Sequence, residues 1–133
     1  MTALMDMAPA YALEIRSVGT DSARRARHWL AWVLEGLVPQ DTLDSVILAA
    51  SELVTNAYTH TDSARILVSA QVIETGVRLI VHDDAQSSDW QQAGGGLDER
   101  GRGLILVRAL AGVGVDRHAL GTTVTALIPR TAA

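Results

Sequence analysis

The 133-residue sequence contains no cysteine and no lysine. Without cysteine there are no disulfides, no thiol nucleophile and none of the usual structural zinc sites. Without lysine there is neither a Gly-Lys-Ser/Thr phosphate loop nor the strand lysine of the eukaryotic-type protein kinase fold, so two common nucleotide-binding designs are excluded by inspection. The 11 basic residues are all arginine; against 15 acidic ones they leave a formal net charge of −4. No strongly basic field exists to drive sequence-independent nucleic-acid binding, and DNA or RNA is not expected as a direct partner. No apolar run approaches the roughly 18 residues of a membrane span, and residues 1–10 have neither the basic nor the apolar region of a secretion signal. A cytoplasmic protein without membrane attachment is therefore expected. The histidines, His28, His60, His82 and His118, show no close metal-ligand spacing, so no transition-metal centre is expected.

At 48% hydrophobic, the chain can build one domain with a real core and is too short to suggest two. A flexible terminus over residues 1–10 and a single domain over residues 11–130 are expected. Residues 11–18 alternate sides as a strand, and Gly19-Thr20-Asp21 reads as a turn. Thr20 or Asp21 can then cap a helix running to about Leu37, with Ala26, Leu30, Val33, Leu34 and Leu37 as its apolar stripe. Arg24, Arg25 and Arg27 crowd the first turns of that helix, where they oppose its dipole. They fit a solvated face or a surface for an acidic partner. Pro39 separates this helix from a second, which Asp41 or Thr42 can cap and which runs to about His60.

Residues 64–73 and 77–83 form a hairpin around Glu74-Thr75-Gly76. Residues 84–100 lose periodicity and read as a lid. A third helix is expected from Gly101 to Gly112 or Gly114, followed by strands at 113–119 and 122–129. With strands paired by hairpins and helices grouped, the economical fold is α+β: a two-layer sandwich of an antiparallel or mixed sheet with helices on one face.

The richest segment lies in the second helix. Glu52 and Asn56 are four residues apart, about 40° around a helix axis, and project into the same space. Val46, Ala50, Leu53, Val54 and Ala57 form a buried stripe on the other face. A carboxylate can accept a proton or orient a nucleophile, and an amide oxygen is a hard ligand suited to Mg²⁺ that phosphate oxygens also hold. Taken alone, the pair also fits two polar residues on a wet helix face. Three further pieces are each weak singly. Asp83 ends the apolar strand Leu79-Ile80-Val81-His82-Asp83, where its carboxylate could accept a hydrogen bond from an exocyclic amine or simply form a turn, with Asp84 beside it. Gly101-Arg102-Gly103-Leu104 opens a helix, so unhindered N–H groups and the positive dipole end could meet phosphate. Gly121-Thr122-Thr123 starts the last strand and offers a hydroxyl.

In their order, these pieces resemble the ATP-binding boxes of the superfamily shared by gyrase, heat-shock chaperones, sensor histidine kinases and mismatch-repair ATPases. Ser51-Glu52-Leu53-Val54-Thr55-Asn56-Ala57 resembles the N box, and Val81-His82-Asp83 the first glycine box. Gly101-Arg102-Gly103-Leu104 resembles the second glycine box, and Gly121-Thr122-Thr123 the final strand motif. Within that superfamily the short chain is most similar to the anti-sigma-factor serine/threonine kinases. The resemblance implies a Bergerat-type ATP-binding fold with ATP and Mg²⁺ as cofactors. Glu52 would be the general base, Asn56 the Mg²⁺ ligand and Asp83 the carboxylate that specifies adenine. Gly101, Arg102, Gly103 and Leu104 would wrap the phosphates, and Thr122 would support the base. It also implies a sigma factor and an anti-anti-sigma protein as partners, and a homodimer through the first strand and helix, where Trp29 or Trp32 could add contact area. The sequence departs from the superfamily after Asp83, where Asp83-Asp84-Ala85-Gln86-Ser87-Ser88 replaces Asp-x-Gly-x-Gly. That departure bears on nucleotide affinity and keeps open a non-catalytic ATP-binding regulatory module.

Overall fold

The computed structural model of the chain describes residues 10–60, 65–84, 112–118 and 121–131. In chain order these form β1 (Ala10–Ile15), α1 (Ser22–Leu34), α2 (Gln40–His60), β2 (Ile66–Ile73), β3 (Gly76–Asp83), β4 (Gly112–His118) and β5 (Gly121–Pro129). The strands build one sheet in the order β1-β2-β3-β5-β4, and every pairing in it is antiparallel. The α+β sandwich expected from the sequence is the fold observed, and the antiparallel alternative is the one realised. The lid and third helix expected over residues 85–111 lie outside the described residues.

Alternation along the strands divides the sheet into two unlike faces. In register across it run Ile15–Ile66–Asp83–Thr122, Leu13–Val68–Val81–Val124–Val115 and Tyr11–Ala70–Leu79–Ala126–Val113. This face meets the helices. Val46, Ala49, Ala50, Leu53, Val54 and Ala57 of α2, and Ala26, Leu30 and Leu34 of α1, join Ile66, Val68, Leu79, Val81, Ala126 and Ile128 in one core. Each fully buried Leu or Ile in it contributes on the order of 1.5–3 kcal/mol. The stripe expected on the second helix is buried throughout. On the opposite face the corresponding rows carry Glu14–Leu67–His82–Thr123–Asp116 and Ala12–Ser69–Ile80–Thr125–Gly114. No helix among the described residues is long and apolar enough to cross a membrane.

Several element ends differ from the sequence reading for local reasons. The first strand ends at Ile15, because Arg16 to Thr20 leave the sheet to reach α1. Asp21 holds the cap position of α1 but makes no side-chain cap. Ser22 Oγ instead accepts a hydrogen bond from Gly19 N–H at 2.9 Å. α1 stops at Leu34, not Leu37, since Gly36 turns the chain at φ +80° and Leu37 N–H returns to Leu34 C=O. Leu37 is therefore exposed rather than part of the stripe. α2 begins at Gln40, ahead of both expected caps. Thr42 is fully buried and its Oγ1 accepts from Thr131 N–H at 2.9 Å, tying the end of the described chain to the start of α2.

Candidate functional site

The helix and the strand ends place the sequence-predicted residues as follows. Antiparallel pairing aligns Asp83 of β3 with Thr122 of β5, and even alternation turns both toward α2. Asp83 and Thr122 are each 3% exposed, and Asn56 of α2 is 8% exposed. Asn56 and Asp83 line a small recess with Leu53, Ala57, Val81, Val115 and Val124. An aliphatic slot with an acceptor-only carboxylate and a carboxamide in its wall suits a flat heterocycle that bears an amine. Glu52 sits one turn before Asn56, half-buried, and outside the lining of this recess. Its position leaves it on the same side of α2 as Asn56, toward the mouth.

The choice between Asp83 and Asp84 is made by the backbone. Asp83 faces the recess, whereas the Asp84 carboxylate accepts Arg65 N–H at 3.2 Å and so fastens the start of β2. Gly101, Arg102, Gly103 and Leu104 lie outside the described residues. No group of three His, Cys, Asp or Glu side chains among the described residues is arranged to hold a metal. A divalent ion beside Asn56 would be shared with oxygens of a bound nucleotide, which is how Mg²⁺ is commonly held by phosphates.

Gly121 is a structural support of the site to which the sequence reading gave no role. Its φ is +128°, and a Cβ there would lie 1.9 Å from Asp83 C=O and 2.9 Å from Asp84 Cα. The backbone carrying the buried carboxylate can come this close only because Gly121 has no side chain. Gly121 belongs to the final strand motif, but the motif itself does not reveal the contact. The valines of the recess were also unassigned, since in sequence they are ordinary strand residues.

The model of the histidine kinase-like ATPase domain family matches residues 17–128. The chain belongs to this family. No curated protein matches it. As a histidine kinase-like ATPase domain, the chain is an ATP-binding module.

Proposed function

We propose that this histidine kinase-like ATPase domain is a serine/threonine protein kinase of the anti-sigma-factor type, which controls transcription by switching between protein partners. It would hold a sigma factor in one state and phosphorylate a small anti-anti-sigma antagonist in the other, working as a homodimer. The observation that carries this reading is the buried Asn56–Asp83 pair in an apolar recess, with Glu52 one turn away on the same side of α2. Asp83 accepts the exocyclic amine of adenine, Thr122 supports the base, and the Asn56 amide oxygen holds Mg²⁺ together with phosphate oxygens. Bound ATP·Mg²⁺ supplies the transferable phosphoryl group. Glu52 orients the hydroxyl that the partner brings and takes its proton. As the motif resemblance implies, Gly101, Arg102, Gly103 and Leu104 would contact the phosphates, with Arg102 neutralising their charge.

The experiment is titration calorimetry with ATP, with and without Mg²⁺, followed by transfer assays on wild type and Glu52→Ala. Retained ATP binding with lost transfer to a cognate antagonist supports the kinase, and unchanged transfer by Glu52→Ala sinks the general base. The Asp83-Asp84-Ala85-Gln86-Ser87-Ser88 run, which lacks the expected glycines, favours a second reading. In it the domain binds ATP to order a surface for a protein partner and transfers nothing. Binding without transfer in the wild type would select that reading.

A further inference from the structure

We propose that the solvent face of α1 is a docking surface for an acidic segment of a partner protein, with Trp32 as its apolar anchor. α1 buries Ser22, Ala26, Leu30 and Leu34. Helical geometry puts Arg24, Arg25, His28 and Trp32 in an arc of about 100° on the other side. All four are exposed, Trp32 at 77%. Trp29, by contrast, packs against the core.

Three observations separate this face from an ordinary wet helix surface. First, α1 contains no acidic residue, although the chain as a whole carries −4. Its arginines therefore repel one another, and the single carboxylate near them, Asp21 at the helix cap, is outnumbered by Arg24, Arg25 and Arg27. Second, among the described residues the side chains of Arg24, Arg25 and His28 make no hydrogen bond or ion pair. Arg27, on the flank of the same helix, is by contrast engaged within the fold, where its Nη1 donates to Ser51 Oγ of α2 at 3.1 Å. Third, the exposed tryptophan lies on the same face as these guanidinium groups, about two turns along. Arginine and tryptophan are the side chains that most often dominate protein interfaces, and the guanidinium fork matches a carboxylate bidentately.

Arg25 to Trp32 spans about 10 Å along the helix, so the occupant is a short stretch with carboxylates at one end and an aliphatic pocket for an indole at the other. A nucleic acid or an anionic lipid surface would meet the net negative field of the whole chain, whereas a local acidic segment meets only α1. The surface is distinct from the nucleotide site. No residue of α1 lines the recess that holds Asn56 and Asp83.

The test uses the full chain and a fluorescein-labelled peptide of repeating Glu-Glu-Leu-Ala, followed by anisotropy and by tryptophan emission. Wild type should bind with an affinity that falls as salt rises, and its tryptophan emission should change on binding. Arg24→Glu/Arg25→Glu should weaken binding about tenfold or more, and Trp32→Ala several-fold. Arg78→Glu, on the outer sheet face, should bind as wild type does. All variants should keep the wild-type circular dichroism spectrum and ATP affinity, which distinguishes a lost surface from a lost fold or nucleotide site. Absence of peptide binding, equal binding by Arg24→Glu/Arg25→Glu, equal loss in Arg78→Glu, tighter binding of a DNA duplex or phosphatidylglycerol vesicles, or dissociation of a homodimer by Trp32→Ala in sedimentation, which would assign this face to a second copy of the chain, would each overturn the proposal.

Discussion

Two polar pairs sit side by side on the same two strands and meet different fates. Asp83 and Thr122 pair across β3 and β5, and the next residues, His82 and Thr123, pair one step along. The first pair is buried beneath α2. The second lies on the opposite face, half-buried, with His82 Nδ1 and Thr123 Oγ1 2.8 Å apart. Residue chemistry barely separates the two, since each combines a titratable side chain with a threonine. What separates them is the layer against which they lie. Under the helix a carboxylate is held in a dry apolar wall, where one polar contact discriminates strongly; on the open face water competes for every contact.

The sharpest way to break the comparison is to remove what lets Asp83 sit where it does. Gly121→Ala should destabilise the domain by about 3 kcal/mol or more, combining a left-handed φ with a backbone clash, as read by denaturant unfolding. On the inner side, Asn56→Ala should weaken Mg²⁺-dependent ATP binding about 100-fold, the scale of losing a contact to a charged group in a buried site, and calorimetry with unchanged affinity would refute its role. Asp83→Asn should cost about 10- to 100-fold for ATP while leaving GTP unaffected, and equal losses would argue against base recognition.

The paired threonines give the cleanest contrast. Thr122→Val should lower ATP affinity about two- to tenfold, and Thr123→Val should leave it unchanged, because only the first is buried on the helix side of the sheet beside Asp83. The smallest effect belongs to Glu14, in the same outer row as His82. A hydrogen bond from Arg16, aided by the charges of Arg16 and Arg65, holds its carboxyl below the ordinary range. A carboxyl lowered in the folded state adds stability that is present above the ordinary carboxylate range and lost as pH falls through the lowered value. Glu14→Gln should therefore slightly lower the melting temperature at neutral pH, and the difference from wild type should disappear as pH falls through the acid limb.

The helix stripe through Val46, Ala50, Leu53, Val54 and Ala57 was legible because helical burial recurs at a fixed local period. The Glu74-Thr75-Gly76 hairpin was legible because two turn residues and a glycine interrupt alternating strands. Helix ends were less so. Gly36 outranked the apolar periodicity that continued to Leu37, and Thr42 was drawn into a contact with Thr131, which is far away in sequence. Of the site, the spacing of Glu52 and Asn56 and the strand-end position of Asp83 were readable one by one. Their common recess was not, nor was the steric demand at Gly121, since both depend on how β3, β5 and α2 meet.

By itself, the sequence determined the types of the described elements and the side chains available for nucleotide chemistry, because these follow from composition and from periods of a few residues. Only the tertiary structure decided that Asp83 rather than Asp84 enters the recess, that Thr122 rather than Thr123 lies beneath α2, and that Trp32 rather than Trp29 faces solvent. A one-residue step reverses the face of a strand, and a shift of about 100° re-aims a helix side chain. Which face is buried is fixed only when the layers pack.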